Sequence, residues 1–345
     1  MLNQFLTWYT GLTDGLLGAC LLFIIGVVLL IKGGDWFVDG AVNIAKRFNV
    51  PEIIIGATIV SIGTTLPEVM VSVTAAINNN GAIAYGNAIG SIICNTALIA
   101  ALTIAIRPVP VNRKTILTPV SFFFISALIY VVAAYIFGSF DRWLGLVMLL
   151  VFAVYMITTI RNGFKNGEES HQESSDKKAE ESNGSLIKDV IVIIFSAFLI
   201  AVGADMLEGS SVSLATMAGI PTEVVGVTIV ALCTSLPELV TAVTALVKGH
   251  SALSLGNIIG ANIFNLVLVS GAAVTIAPFV IPEGSKLLGY NTSQLIEIPL
   301  MIIVMALMTL PTLKKEKLYR WQGVTLLGIY ATFITLQVLI ALNVF

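Results

Sequence analysis

The sequence predicts an all-α integral membrane protein of ten transmembrane helices, built as two inverted five-helix repeats. Three observations carry this reading. The 345-residue chain is 57% hydrophobic and only 11% charged, with a mean hydropathy of +0.96, whereas a soluble domain averages about 25% charged residues. An ungapped internal repeat at an offset of 170 residues aligns 51–98 with 221–268, giving about 20 identities in 48 positions. Lys and Arg, finally, concentrate in alternate loops.

A spanning helix takes about 20 predominantly apolar residues, more if it is tilted. Ten segments qualify: 15–44, 52–77, 82–106, 115–138, 142–161, 186–216, 222–247, 252–277, 292–311 and 321–344. The first and sixth are long enough to demand tilt or an interfacial portion. With the N-terminus outside, fifteen of the 18 Lys and Arg residues fall in cytoplasmic loops or the central linker, among them Lys46, Arg47, Arg113, Lys114, Lys248, Lys314 and Arg320. That asymmetry follows the positive-inside rule and places both termini outside the cell membrane. The start of the chain lacks a basic region and a cleavage site, so no cleaved signal peptide is expected.

Residues 162–185, NGFKNGEESHQESSDKKAEESNGS, are rich in Ser, Glu and Lys and almost free of apolar side chains. Such a segment buries too little surface to fold alone and is expected to be a disordered cytoplasmic linker. The chain therefore divides into a first repeat (1–161), the linker (162–185) and a second repeat (186–345). Each half has five spans. An odd number sends the second half into the membrane from the opposite side, and inverted repeats of this kind place transport sites near the midplane.

The repeat is strongest where an apolar helix should carry no charge. GATIVSIGTTLPE at 56–68 matches GVTIVALCTSLPE at 226–238, and GNAIGSIICN at 86–95 matches GNIIGANIFN at 256–265. Glu68 and Glu238 stand at equivalent points inside spans two and seven. Insertion of a charge there costs roughly 2.5–3.5 kcal/mol or more, so duplicated intramembrane carboxylates mark a functional site. Pro67 and Pro237 each remove a backbone donor and free the carbonyl four residues earlier, on Gly63 and Cys233. In a membrane that oxygen must find a neighbour, a water or an ion. Each motif thus offers backbone oxygens, the hydroxyl pair Thr64–Thr65 or Thr234–Ser235, and a carboxylate within one turn. This hard, oxygen-only set suits Ca2+ and can also suit Na+, and no thiolate or imidazole cluster favours zinc or copper.

Spans three and eight carry the complementary polar face. Asn87 and Asn257 follow glycines, and Ser91 with Asn95, like Ala261 with Asn265, lie four residues apart on one helix face. Gly86, Gly90, Gly256 and Gly260 form small-xxx-small patterns expected to let helices approach closely. Asp35 and Asp205 are also repeat-equivalent and are expected to organise spans one and six or to line an ion path, with Asp39 and Glu208 packed nearby or facing water.

At these residues the chain resembles the cation/calcium antiporter superfamily, and within it the prokaryotic sodium/calcium exchangers. The two GxTxVxxxTxLPE blocks and the two GNxIGxxxxN blocks carry the resemblance, which covers essentially the whole membrane part. It implies a ten-helix sodium/calcium exchanger fold in which spans two, three, seven and eight form a core with four cation sites, while slanted first and sixth helices slide across it. Carried over by position, Glu68 and Glu238 are the main Ca2+ ligands. Thr64, Thr65, Thr234 and Ser235 supply hydroxyl or backbone oxygens, Ser61 and Ala231 supply carbonyls one turn earlier, and Ser91 and Asn95 are the span-three ligands. Two positions depart from the pattern. Asn265 stands where well-understood sodium/calcium exchangers carry Asp, and Ala261 stands where they carry Ser.

The expected function is secondary-active antiport of Ca2+ against Na+ by alternating access, with Ca2+/H+ antiport as the alternative. Two buried carboxylates repel one another, so an empty site tends to hold cations or protons, which favours exchange over leak. The cargo is Ca2+ and a monovalent counter-ion; no cofactor is expected, and the only other partner is the lipid bilayer. No basic run tracks a nucleic acid, and a monomer is the expected functional unit. A channel is disfavoured because the motifs form no repeated carbonyl filter. An enzyme is disfavoured because no HExxH occurs and both histidines, His171 and His250, fall in loops.

Overall fold

In a computed structural model the described residues are 15–173, 185–219, 231–281, 286–287 and 290–342. They form α1 (Leu16–Arg47), α2 (Glu52–Ile77), α3 (Gly81–Ile106), α4 (Arg113–Phe137), α5 (Arg142–Glu173), α6 (Leu186–Met217), α7 (Leu236–Val247), α8 (Ser251–Ile276), α9 (Ser293–Lys315) and α10 (Arg320–Ala341). Among the described residues, nine of these helices are long and apolar enough to cross a membrane, and α7 is shorter. Most of the first half of the seventh expected span, 222–230, lies outside the described residues.

Burial separates a core from a periphery. The apolar windows of α2, α3 and α8 are 61%, 72% and 83% buried, against 28% for both α1 and α6. α1 and α6 pack on one another along their lengths. Where they cross, a Cβ added to Gly26 would lie 2.9 Å from the Gly203 carbonyl oxygen, and one added to Gly203 would lie 2.9 Å from that of Gly26. Absence of side chains at this crossing lets the two backbones touch.

The small-residue patterns act differently in the two halves. A Cβ at Gly256 would overlap the Ile53 carbonyl, and one at Gly260 would overlap the Ser61 hydroxyl and Ala57, so α8 lies backbone to backbone on α2. Gly86 and Gly90 of α3 have nothing within 4 Å. The close approach expected of all four glycines holds only for the second pair; the first pair lines a cavity of about 280 Å³ beside Glu297 and Gln337.

Two further expectations change. α5 runs on to Glu173 instead of ending at 161, so the start of the polar linker continues the helix. Adding residues to a formed helix is cheap, and Asn, Glu and Lys tolerate it. The expected disorder of 174–184 falls outside the described residues. Pro67 also leaves α2 helical on both sides of it, whereas in the second half the chain turns at Thr234–Ser235 before α7, with Pro237 in its first turn.

The loops sort into two faces. On one, Arg47 pairs with Asp189 at 3.3 Å, His250 meets Glu52 at 2.8 Å, and Lys248 pairs with Asp39 at 2.8 Å. This face carries most of the loop cations. On the other, Ser139–Phe140 pairs antiparallel with Phe279–Val280, tying the loop after α4 to the loop after α8.

Candidate functional site

Wide turns shape the site in both halves. α3 passes through a π turn at Asn95–Ala100 and α8 through one at Asn265–Val269, so the two repeat-equivalent asparagines each open such a turn. α2 has another at Gly56–Val60. A π turn frees carbonyls from the regular ladder and is frequent at functional sites. Here hydroxyls take up two of them: Ser61 Oγ donates to the Gly56 carbonyl at 2.8 Å and Ser270 Oγ to that of Asn265 at 3.0 Å, each five residues back. The halves then interlock crosswise, with the π turn of α3 against α7 and that of α8 against α2.

This crossing brings the two carboxylates together. Glu68 is 1% exposed and Glu238 is fully buried, and the two carboxylates are within electrostatic reach of one another. Thr65 Oγ1 donates to Glu238 Oε1 at 3.5 Å. The other three carboxylate oxygens, both of Glu68 and Oε2 of Glu238, have no hydrogen-bond partner among the described residues. No Lys, Arg or His forms a salt bridge with either glutamate among the described residues. Around them, Ser91 Oγ, Ser235 Oγ and the side-chain amides of Asn95 and Asn265 are likewise buried without a partner among the described residues. Buried polar atoms are almost always satisfied. A cluster of unsatisfied oxygens around two unbalanced carboxylates has the chemistry that suits a hard cation.

Several residues singled out from the sequence take a packing role as well. Ser61 Oγ reaches the Asn257 carbonyl at 2.9 Å and its Oδ1 at 3.3 Å, while Thr64 Oγ1 donates to the same Oδ1 at 3.2 Å. Asn257 Nδ2 in turn donates to Thr241 Oγ1 at 3.0 Å, and Thr241 back-bonds to the Pro237 carbonyl at 2.8 Å. Asn257 therefore clamps α2, α8 and α7 beside the glutamates. In the first half Asn87 Nδ2 donates to Ser72 Oγ at 2.9 Å and to the Glu68 carbonyl at 3.1 Å. The identity of Asn87 and Asn257 in the repeat was the signal for this clamp. Thr241 and Ser72 carried none, since neither is matched in the other half. Thr234 stands at the wall of a cavity that also holds Glu68, and Ala231 opens the short turn Ala231–Cys233.

The aspartates of α1 and α6 part company. Lys248 Nζ lies 3.6 Å from Asp35 Oδ1 and 2.8 Å from Asp39 Oδ1, and donates to the Asp35 carbonyl at 2.8 Å. Asp205 and Glu208 instead line the cavity that reaches Glu68.

Residues 18–161 and 188–339 match the family described as sodium/calcium exchanger protein. The chain belongs to that family. It is 33% identical over 311 residues to the uncharacterized membrane protein MJ0091 of Methanocaldococcus jannaschii, covering 89% of this chain and 94% of that one. It is 30% identical to the sodium/calcium exchanger MaX1 of Methanosarcina acetivorans, covering 91% and 97%, and 31% identical to the inner membrane protein YrbG of Escherichia coli, covering 81% and 86%. Among solved structures, that of the sodium-calcium exchanger NCX_Mj soaked with Na+ and Sr2+ superimposes with a TM-score of 0.76 at 31% identity, over 92% of this chain and 98% of that one. The family match falls in the two halves that the repeat defines. The protein is thus a multi-pass membrane cation exchanger and not an enzyme.

Proposed function

We propose that the protein exchanges Ca2+ for Na+ across the cell membrane by alternating access, holding Ca2+ between Glu68 and Glu238. The observation that carries this reading is the pair of buried carboxylates converging from inverted halves, with three of their four oxygens unpartnered among the described residues. Two carboxylates neutralise one divalent cation. Thr64, Thr65, Thr234, Ser235, Ser91, Asn95 and Asn265, with backbone oxygens of Ser61 and Ala231, complete an oxygen shell from which Ca2+ takes about six to eight ligands. Na+ competes for overlapping oxygens, so each ion leaves as the other loads. Names of the relatives support the ion pair: MaX1 is a sodium/calcium exchanger, and NCX_Mj has been soaked with Na+, Ca2+ and Sr2+. The cation-rich loop face is cytoplasmic in this reading, with both termini and the cavity beside Glu68 outside. One chain contains both halves of the site and works as a monomer.

A Ca2+/H+ antiporter is the second reading, favoured by Asn265 and Ala261, which give the second half neither carboxylate nor hydroxyl where the first half has Ser91. Ca2+ uptake into proteoliposomes under a Na+ gradient at fixed pH, and under a pH gradient without Na+, separates the two. Glu68→Gln and Glu238→Gln should each lower Ca2+ uptake by about 100-fold, since a charged hydrogen-bonding group at a buried site contributes roughly 1.5–3 kcal/mol and its unpaired partner is left behind. Wild-type uptake by either variant would remove the glutamates from the site.

A further inference from the structure

The cavity of about 280 Å³ between α3, α9 and α10 has neither Glu68 nor Glu238 among its described lining residues. Glu297 and Gln337 stand at one end of it, near the start of α9 and the end of α10. Tyr330 and Cys94 mark the other end, with Tyr330 two helical turns, about 10 Å, along α10 from Gln337.

Glu297 is a carboxylate inside a membrane-spanning helix, and such a group marks a functional site by default. It is not part of the duplicated machinery, because the offset of 170 residues puts Ala127 opposite it. Its contacts within the chain are neutral. Gln337 Nε2 donates to Glu297 Oε1 at 3.2 Å, and the Ser293 hydroxyl is within reach one turn earlier. No Lys, Arg or His forms a salt bridge with it among the described residues, and none is among the described residues that line the cavity. Neutral donors solvate a carboxylate without balancing its charge, and a charge held in an apolar surrounding is costly until it is paired.

The rest of the cavity decides what can pair with it. Ile89, Ile93, Phe333 and Ile334 form apolar walls. Gly86 and Gly90 leave the α3 side open, since a Cβ on either would meet nothing within 4 Å. At the far end the Tyr330 hydroxyl is turned to Cys94 Sγ at 3.7 Å. Among the described lining residues only Glu297, Gln337 and Tyr330 carry side-chain oxygen, whereas a dehydrated Ca2+ takes about six to eight oxygens. A bare inorganic cation is poorly served here. A ligand with one positive charge and its own hydrocarbon body is well served, because apolar walls with a few placed polar groups are the usual make-up of a small-molecule site.

We propose that this cavity binds a small organic monocation of the primary alkylammonium class, its ammonium paired with Glu297 and its apolar body lying along α3 toward Cys94. The site is separate from the glutamate pair and does not depend on which ions that pair carries.

Isothermal titration calorimetry of the full chain in detergent tests it, with hexylammonium as the probe and hexanol as the uncharged control. Partition of each probe into the micelle is the same for every variant, so the saturable heat is the readout. The wild-type chain should bind hexylammonium at least about tenfold more tightly than hexanol, the scale of one charged hydrogen bond. Glu297→Gln should erase that preference. Gly90→Leu, which fills the open side of the cavity and leaves the carboxylate in place, should remove saturable binding of both probes, and Gly86→Leu does the same one turn away should Gly90→Leu not fold. Equal affinity for the two probes, or no saturable binding, overturns the proposal on the wild-type chain alone. A preference that survives Glu297→Gln, or binding that survives filling of the cavity, overturns the assignment to this site. Displacement of hexylammonium by equimolar Na+ or K+ would make the cavity an inorganic ion site and overturn the ligand class.

Discussion

The two halves of this molecule share a sequence pattern and spend it differently. In the first, α2 continues helically through Pro67 and the α3 glycines face open space; in the second, the chain turns before α7 and the α8 glycines are pressed onto α2. In the first, the α1 aspartates are bound by Lys248; in the second, the α6 acids line a vestibule that reaches Glu68. An exact two-fold would make both faces open or both closed. Departure from it gives the two faces different chemistry, as the proposed alternating access would require. Near the midplane the halves stay alike: matched glutamates, and matched asparagines that open matched π turns.

The glycine contrast is the sharpest place to break this account. Gly256→Ala and Gly260→Ala should each destabilise the protein by about 1–3 kcal/mol, the usual cost of overpacking a tight contact. Gly86→Ala and Gly90→Ala should cost nothing, and can gain up to about 1 kcal/mol from the lost backbone freedom of glycine. Thermal unfolding in detergent reads all four, and equal losses in both pairs would show that α3 packs as tightly as α8. Asn257→Ala comes next. It removes the side-chain bonds that join Ser61, Thr64 and Thr241 across three helices, a buried loss of about 1–3 kcal/mol. Asn87→Ala removes bonds to Ser72 and to one carbonyl only and should cost less on the same measurement.

Much of this was legible because a membrane penalises ambiguity. Apolar runs of fixed length identify the helices, carboxylates placed where none belong point to a candidate site, and the family match falls on the two halves of the repeat. What the pattern hid depends on contact. GxxxG spacing in GNAIG and GNIIG is identical, yet only the second meets a partner, because that partner is the Ile53–Ala57 backbone of the other half. Asn257 looked like Asn87, but it faces Ser61 and Thr64 where Asn87 faces Ser72. The π turns leave no local signature, since NTALIA and NLVLV read like the other apolar stretches of these spans. The end of α5 was missed because a polar composition argues against an independent fold and says nothing about extension of a helix already formed.

The smallest expected effect on stability tests the asymmetry between faces most directly. Lys248 ties α1 to the loop between α7 and α8, with its side chain 26% exposed and that of Asp39 59% exposed. An ion pair this open contributes at most about 1 kcal/mol, so Lys248→Met should leave thermal unfolding almost unmoved. Its effect should appear in the balance between open and closed faces. Removing the ammonium leaves Asp35 and Asp39 uncompensated, which favours the arrangement that exposes both more fully to water and, through the packed α1–α6 pair, one that narrows the cavity beside Glu68. A bias of about 1 kcal/mol shifts a two-state ratio roughly fivefold. Labelling of Cys233, which lines that cavity, by a small thiol reagent from the vestibule side should slow by up to that factor in Lys248→Met. Lys248→Arg, which keeps a cation within reach of both aspartates, should label like the parent. Equal labelling of all three chains would mean that Lys248 is a surface contact, and that closure of its face rests on the packing of α1 against α6 and α7.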